Sequence, residues 1–395
     1  MIATEPQADD LSQNRTDRPV PGSRLDGLGR FQNALQGLPE GGEAHVWVRL
    51  PVQLGDLVMT LPSLFAVKDA WEQLAARRGV ALRVTVTGKR NVSLFQEAVP
   101  GEFAACHVDE AFPAAGSPLA LRRHWRAHKP IAIINYTKSD RLKYAAWLDR
   151  VPVRAGIGDG GGNWLYHYSH PYVTYHAPAH RYFRLLPLTR WLAGADAAPR
   201  MPRLGPERFG GASVLDLLRA QGWDGGPYVV FGVNPLLGSS QRRWFPEGAP
   251  WRALATLARR DGVTPVLVGG PEHQAQLDPM AAEAGCLSMA GRTSLCQLVA
   301  LQANALGTIS VDTGIAHLAA GTGRPTVVVF SDGEERLDLP CGPKVLTLRG
   351  DPSAAPVYPL TPESIALASK PWSLATAAIP AERAWAALGL LAREG

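Results

Sequence analysis

The chain has 395 residues, of which 46% are hydrophobic and 19% charged, and its formal net charge is +5. That length exceeds one ordinary core and fits two domains, and that composition excludes a disordered chain. The positive excess is small for the length and suits an anionic small ligand; with no long Lys/Arg tract and no RNP-like aromatic motif, it points away from nucleic acid.

The first residues, MIATEPQADDLSQNRTDRPVPGSRLDG, are polar and charged and lack the apolar core of a signal peptide. Residues 1–43 read as a mobile extension, with at most a short helix near Phe31 to Leu38. A β/α rhythm then starts. HVWVRL is a short buried strand, PVQLGD a loop, and LVMTLPSLFAVKDAWEQLAARR a helix whose effective start is Pro62. LRVTVTG and IAIINYT read as strands, NVSLFQEAV and SDRLKYAAWLDR as helices, and VRAGIG closes the series. Continuous apolar strands alternating with helices argue for a parallel sheet covered on both faces.

GADAAPRMPRLGP, residues 194–206, is rich in Pro, Gly and Ala and reads as a linker. The rhythm then restarts with YVVFGVN, WRALATLARRDG, TPVLVGG, PEHQAQLDPMAAEAG, SLCQLVALQANA, the strand ending ISVD, the helix TGIAHLAAGTG and the strand PTVVVF. AERAWAALGLLARE is a terminal amphipathic helix. The resulting division is 44–193 for a first Rossmann-like domain, 207–370 for a second, and 371–395 for the terminal helix. Two open α/β units place the default ligand site in the cleft between them, at the carboxyl ends of their strands.

No apolar run approaches the ~18 residues of a spanning helix. Cys106, Cys286, Cys296 and Cys341 form no CxxC pair, so reduced thiols in the cytoplasm are the simpler reading.

Several loops carry chemistry. In LGD, Gly55 permits a tight turn and close approach of a ligand, and Asp56 lies where a strand end opens into the cleft. A helix cap and a catalytic base both fit Asp56, and spacing leaves the two open. In SVDTGIAHLAAGTGRPTVVVF, the turn Asp312-Thr313-Gly314 starts a helix, whose free N–H groups and dipole make an anion site. Asp312 would repel a diphosphate and reads as the N-cap; Thr313 adds a hydroxyl, Gly314 allows close approach, and His317 lies one turn on. VNPLLGSSQRRWFPE offers Asn234 at a strand end and then Arg242 and Arg243, whose forked donors suit a diphosphate. Gly269 and Gly270 of VGGPE and Gly291 of AGRTSL are turns suited to a base and ribose.

Three patterns carry less. Gly156-x-Gly158-x-x-Gly161 matches a dinucleotide fingerprint, but no convincing helix or ribose-binding carboxylate follows. His167, His170, His176 and His180 fit no zinc spacing. LRRHWRAHK, residues 121–129, is basic and aromatic and suits a solvated helix face, an anionic acceptor or a membrane surface.

Taken together, VRLPVQLGDLVMTLPSL, SDRLKYAAWLDRVPVRAGIG, HRYFRLLPL, VNPLLGSSQRRWFPE, VLVGGPE, AGRTSL and DTGIAHLAAGTGRPTVVVF resemble, in order, the ADP-heptose:lipopolysaccharide heptosyltransferase family, glycosyltransferase family 9. The resemblance spans residues 45–350, and the spacing from Arg49 to Asp56 is nearer the heptosyltransferase II type. It implies a GT-B architecture of two Rossmann-like domains, acceptor on the first and donor nucleotide on the second. It implies an inverting, metal-independent transfer without cofactor, from a nucleotide-sugar such as ADP-heptose to a glycan or glycolipid such as lipopolysaccharide core.

Asp56 falls on the family's general base, and Asp312, Thr313, Gly314 and His317 on its phosphate-binding turn. Arg242, Asn234, Gly269, Gly270 and Gly291 complete the donor side; Gly55, Arg49 and Lys138 lie on the acceptor side. A monomer, peripheral membrane association and a terminal helix packed back on the N-terminal domain also follow. The sequence departs from the pattern at Arg242, where the family commonly has lysine, at Phe245 between Trp244 and Pro246, and in the acidic run SDGEERLDLPCGP. A GT-B-like sugar-nucleotide epimerase and a non-catalytic nucleotide- or glycan-binding protein are the competing readings.

Overall fold

In the computed structural model, the described residues are 26–88, 91–95, 103–107, 122, 125, 128–137, 140–158, 162–170, 185–233, 249–330, 338–349 and 379–393. The first sheet holds β1 (Glu43–Arg49), β2 (Ala81–Gly88), β3 (Ala104–His107), β4 (Ala132–Asn135), β5 (Val153–Ile157) and β6 (Tyr168–His170). The second holds β7 (Tyr228–Gly232), β8 (Thr264–Val268), β9 (Leu287–Ser288), β10 (Thr308–Val311), β11 (Thr326–Phe330) and β12 (Val345–Arg349). Strand orders are β3-β2-β1-β4-β5-β6 and β12-β11-β10-β7-β8-β9. Every pairing is parallel; Val48, for example, lies between Val86 and Ile134. Counted from its own first strand, each sheet is a 3-2-1-4-5-6 sheet with one switch point, between β1 and β4 or between β7 and β10. The runs VWV and VVVF are buried throughout, as strands covered on both faces require.

The first switch point opens into α2 (Leu54–Arg77). This helix does not begin at Pro62, as its sequence suggests, but runs through it. An interior proline costs about 3 kcal/mol. Leu57, Val58, Leu61, Leu64 and Phe65 are all buried around it, at about 1.5–3 kcal/mol each, so packing outweighs the lost hydrogen bond. α1 (Gly27–Gln36) corrects the reading of residues 1–43 as a mobile extension for its second part, where the short helix expected near Phe31 to Leu38 starts earlier and is packed; residues 1–25 lie outside the described residues. Asp26 caps it, with Oδ1 accepting from the Gly29 N–H at 2.7 Å. Phe31 stacks on Trp71 at 4.1 Å between ring centroids. α1 therefore belongs to the first core, together with α4 (Leu186–Ala193), whose Leu192 carbonyl accepts from Trp71 Nε1 at 2.8 Å. α3 (Asp140–Leu148) covers the other face.

After an irregular stretch, 194–205, come α5 (Pro206–Phe209), α6 (Val214–Ala220), α7 (Ala249–Arg260), α8 (Gln274–Ala284), α9 (Leu295–Asn304), α10 (Gly314–Gly321) and α11 (Ala381–Arg393). α11 is a second correction: it packs on the second sheet, not on the N-terminal domain. Ala384, Leu388 and Leu391 share a core with Val327 and Val329, and Trp385 Nε1 donates to Asp261 Oδ2 at 2.8 Å. No described helix is long and apolar enough to cross a membrane.

Short elements escaped the sequence reading. VRAGIG does not end the first series, since β6 pairs beside it. β12 follows PTVVVF, and Val92–Phe95 is a single 3-10 turn. The two halves share one apolar cluster. Phe95 faces Phe103 and Phe209, the Arg208 guanidinium lies 3.9 Å from the Phe65 ring, and the Cys296 thiol donates to the Leu94 carbonyl at 3.2 Å.

Candidate active site

The two switch points face one another. A Cβ added to Gly314 would lie 2.6 Å from Leu54 Cβ, and one added to Gly55 would lie 3.1 Å from Cδ2 and 3.2 Å from Nε2 of His317. The starts of α2 and α10 are therefore in contact; a Cβ at Gly314 would clash with Leu54, and one at Gly55 would need the His317 ring to give by a few tenths of an ångström. Gln53 precedes α2 and Thr313 precedes α10, both extended and neither making a capping bond with its own side chain. Two sets of helix-start N–H groups, each with a positive dipole end, thus converge.

Asp56 is not a cap. It is the third residue of α2, half-buried in the first turn, a favourable place for a carboxylate. It follows Gly55, the residue that meets the His317 ring. The expected N-cap role of Asp312 is also corrected: Thr313 holds that position. Asp312 is buried, and its N–H bonds the Val329 carbonyl at 3.2 Å, which extends the β10–β11 ladder by one residue. Thr313 Oγ1 lies 3.5 Å from Ser310 Oγ. Gly55 and Asp56 from the first half and Asp312, Thr313, Gly314 and His317 from the second come together here.

A second corner lies at the ends of β8 and β9. The Gly291 N–H donates to the Gly269 carbonyl at 3.0 Å. Gly291 has φ +67°, where a side chain would be strained and its Cβ would meet Pro271 Cα at 3.0 Å. Gly270 opens the following turn, Pro271–His273. Sequence reasoning missed what fixes this corner. Arg292 Nη1 and Nη2 clamp both oxygens of Asp278 at 2.8 Å each. Those hydrogen bonds hold the Asp278 carboxyl well below the usual carboxylate range. Arg292 follows Gly291 directly, but its partner lies fourteen residues earlier, so no local pattern reveals the pair.

On the other side, Arg49 ends β1 and pairs in register with Asn135 at the end of β4. Asn135 is fully buried. Its Nδ2 donates to Tyr166 Oη at 2.8 Å, and its Oδ1 accepts from Thr137 N–H at 3.1 Å and Oγ1 at 2.8 Å. A Cβ on Gly156 would lie 2.9 Å from both Asn135 and Tyr166. That contact accounts for the first glycine of the dinucleotide-like pattern, and a 3-10 turn, Asn163–Leu165, follows instead of a helix. Lys138, Asn234 and Arg242 lie outside the described residues. Among the described residues no three His, Cys, Asp or Glu groups are placed to hold a metal. His167 Nδ1 accepts from the Arg154 N–H at 3.2 Å, while His176 and His180 lie outside the described residues.

The sequence model of glycosyltransferase family 9 (heptosyltransferase) matches residues 137–357, more than half of the chain. The chain belongs to glycosyltransferase family 9. Among curated proteins, lipooligosaccharide heptosyltransferase 2 of Haemophilus influenzae is 24% identical over 132 residues, 31% of this chain and 38% of that protein. The matched stretch thus spans well under half of that relative. Two solved structures share the fold over nearly their whole length. The family 9 glycosyl transferase of Veillonella parvula has TM-score 0.69 at 16% identity, covering 89% of this chain and 98% of that one. E. coli ADP-heptose lipopolysaccharide heptosyltransferase II has TM-score 0.64 at 18% identity, covering 89% and 99%. The two parallel sheets are therefore the GT-B pair expected of family 9, with the switch points turned toward each other.

Proposed function

We propose that this chain is an inverting glycosyltransferase that moves a heptose, or a related sugar, from a nucleotide-sugar such as ADP-heptose to a hydroxyl of a glycan acceptor such as lipopolysaccharide core. The observation that carries the reading is the meeting of two helix starts, one bearing a carboxylate and the other an open anion site. Asp56 takes the proton of the acceptor hydroxyl as its oxygen bonds to the anomeric carbon. The bond from that carbon to the diphosphate breaks, and the nucleoside diphosphate leaves with the electron pair.

Charge growing on the departing diphosphate is met by the N–H groups at Thr313 and Gly314 and by the converging dipoles, a fixed array of the kind that stabilises transition-state charge. Arg242 and Asn234 join the donor side by resemblance, as Arg49 and Lys138 join the acceptor side. Gly269, Gly270 and Gly291 would shape the floor for the base and ribose. The reading needs no metal or cofactor, and it places the enzyme in the cytoplasm as a monomer.

The test is a panel of ADP-, UDP-, GDP- and dTDP-sugars. The true donor at 100 Kd raises stability by about 2.7 kcal/mol and releases nucleoside diphosphate only when acceptor is present. Donor isomerisation without acceptor would make the chain an epimerase instead. A thermal shift with no turnover on any acceptor would make it a binding protein.

A further inference from the structure

α3 is apolar on two faces. Leu142, Ala145 and Ala146 enter a core with Trp47, Trp125 and Ile133. The opposite face carries Tyr144 at 43% exposure, Trp147 at 42% and Leu148 at 42%, and beside them stands Trp164 at 62%. The Trp147 and Trp164 rings meet edge to face at 5.7 Å. Scattered exposed apolar residues need no explanation, but four large ones in one patch do.

Among the described side chains, exposed basic groups rim the patch. Arg141 on the same face of α3 and Arg150 just past its end are exposed. Lys129, also exposed, stands two residues before Ile131, whose carbonyl accepts from the N–H of Val153, three residues past Arg150, at 3.0 Å. The nearby acid Asp149 is taken up by Arg122 at 2.6 Å. Arg122, Trp125 and Lys129 belong to the basic stretch LRRHWRAHK, which the transfer reading leaves unused. Trp125 is buried in the α3 core, its ring 6.0 Å from that of Trp47.

We propose that this surface docks the protein on an anionic lipid bilayer, with Tyr144, Trp147, Leu148 and Trp164 entering the headgroup region and Lys129, Arg141 and Arg150 meeting lipid phosphates. Amphipathic Trp and Tyr rings favour that depth, and basic groups at its rim are drawn to anionic headgroups. The proposal stands apart from the transfer reading, because binding to vesicles is read without donor or acceptor.

The experiment is co-sedimentation of the full chain with vesicles of phosphatidylcholine and phosphatidylglycerol, and with vesicles of phosphatidylcholine alone. The wild type should pellet with the mixed vesicles, leave them in high salt, and bind the neutral vesicles more weakly. Trp147→Ser/Trp164→Ser should lower the bound fraction by about tenfold with an unchanged melting temperature. Trp164→Ser alone, in an exposed turn, should give a smaller loss in the same direction if the double variant unfolds. Absence of wild-type binding, or equal binding by wild type and variants, would overturn the proposal. So would a dimer in sedimentation velocity that the double substitution dissolves, since the patch would then meet a second copy of the chain.

Discussion

In the first half the switch point opens into a helix of 24 residues whose first turn carries Asp56; in the second it opens into one of eight residues, GIAHLAAG, with no acid in its first turn. The strand order is the same in both. α2 is long and buries a wide apolar surface, so it tolerates both an interior proline and a carboxylate at its start. α10 is short and buried on nearly all sides, and its small residues let it press against α2. One scaffold used twice thus places a carboxylate at one helix start and none at the other, and the loops after the strands make the difference.

The largest expected effect tests the acceptor of the proton. Asp56→Asn should lower kcat about 10²–10⁴-fold with donor KM nearly unchanged. Wild-type turnover would leave the two helix starts chemically alike and remove Asp56 from the base role.

Next comes the half that carries an extra helix at its beginning. Phe31→Ala removes the ring stacked on Trp71 and should cost about 3–5 kcal/mol in chemical denaturation. A loss within error would return α1 to the status of an appendage.

The contact between the halves is probed by Gly314→Ala. The new Cβ would sit 2.6 Å from Leu54 Cβ, with no flexible side-chain end to yield. Overpacking of this kind costs about 1–3 kcal/mol, and kcat/KM should fall more than stability accounts for. Unchanged kinetics would mean that the two helix starts work independently.

The smallest effect is a pH response confined to the first half. Burial, followed by the Arg154 and Arg30 charges, pushes the His167 imidazole down to about 3. Above its ordinary value near 6.5 the folded and unfolded chains hold equal protons there. As pH falls toward 3 the unfolded chain binds a proton that the folded one refuses, so stability declines. His167→Asn keeps an acceptor for the Arg154 N–H and should flatten the fall in melting temperature between about pH 7 and pH 4.5. An identical slope would remove His167 as its source.

The long apolar strands, the two-domain rhythm and the glycine-bearing loops were legible because they are local: continuous runs of Val and Ile, helical spacing, and Gly beside Asp or Thr each act within a few residues. The same holds for the resemblance carried by LGD and DTGIAHLAA. Short strands such as β6 and β9 were not legible, since two or three residues hold no periodicity and pairing with a neighbour defines them. Asn135 with Tyr166, and Arg292 with Asp278, were missed for the same reason, because each pair is made by folding rather than by spacing.

The sequence by itself determined which residues could do chemistry and on which loops they lie. Only the tertiary structure decided that Asp56 sits inside a helix turn rather than capping it, that Thr313 and not Asp312 precedes α10, and that Phe31 and Leu388 each close the core of their own half. Its reason is physical: helix starts, caps and docking faces are set by which surfaces are buried together, and Gly55 and Gly314 take on their meaning only when His317 and Leu54 arrive from the other half of the chain.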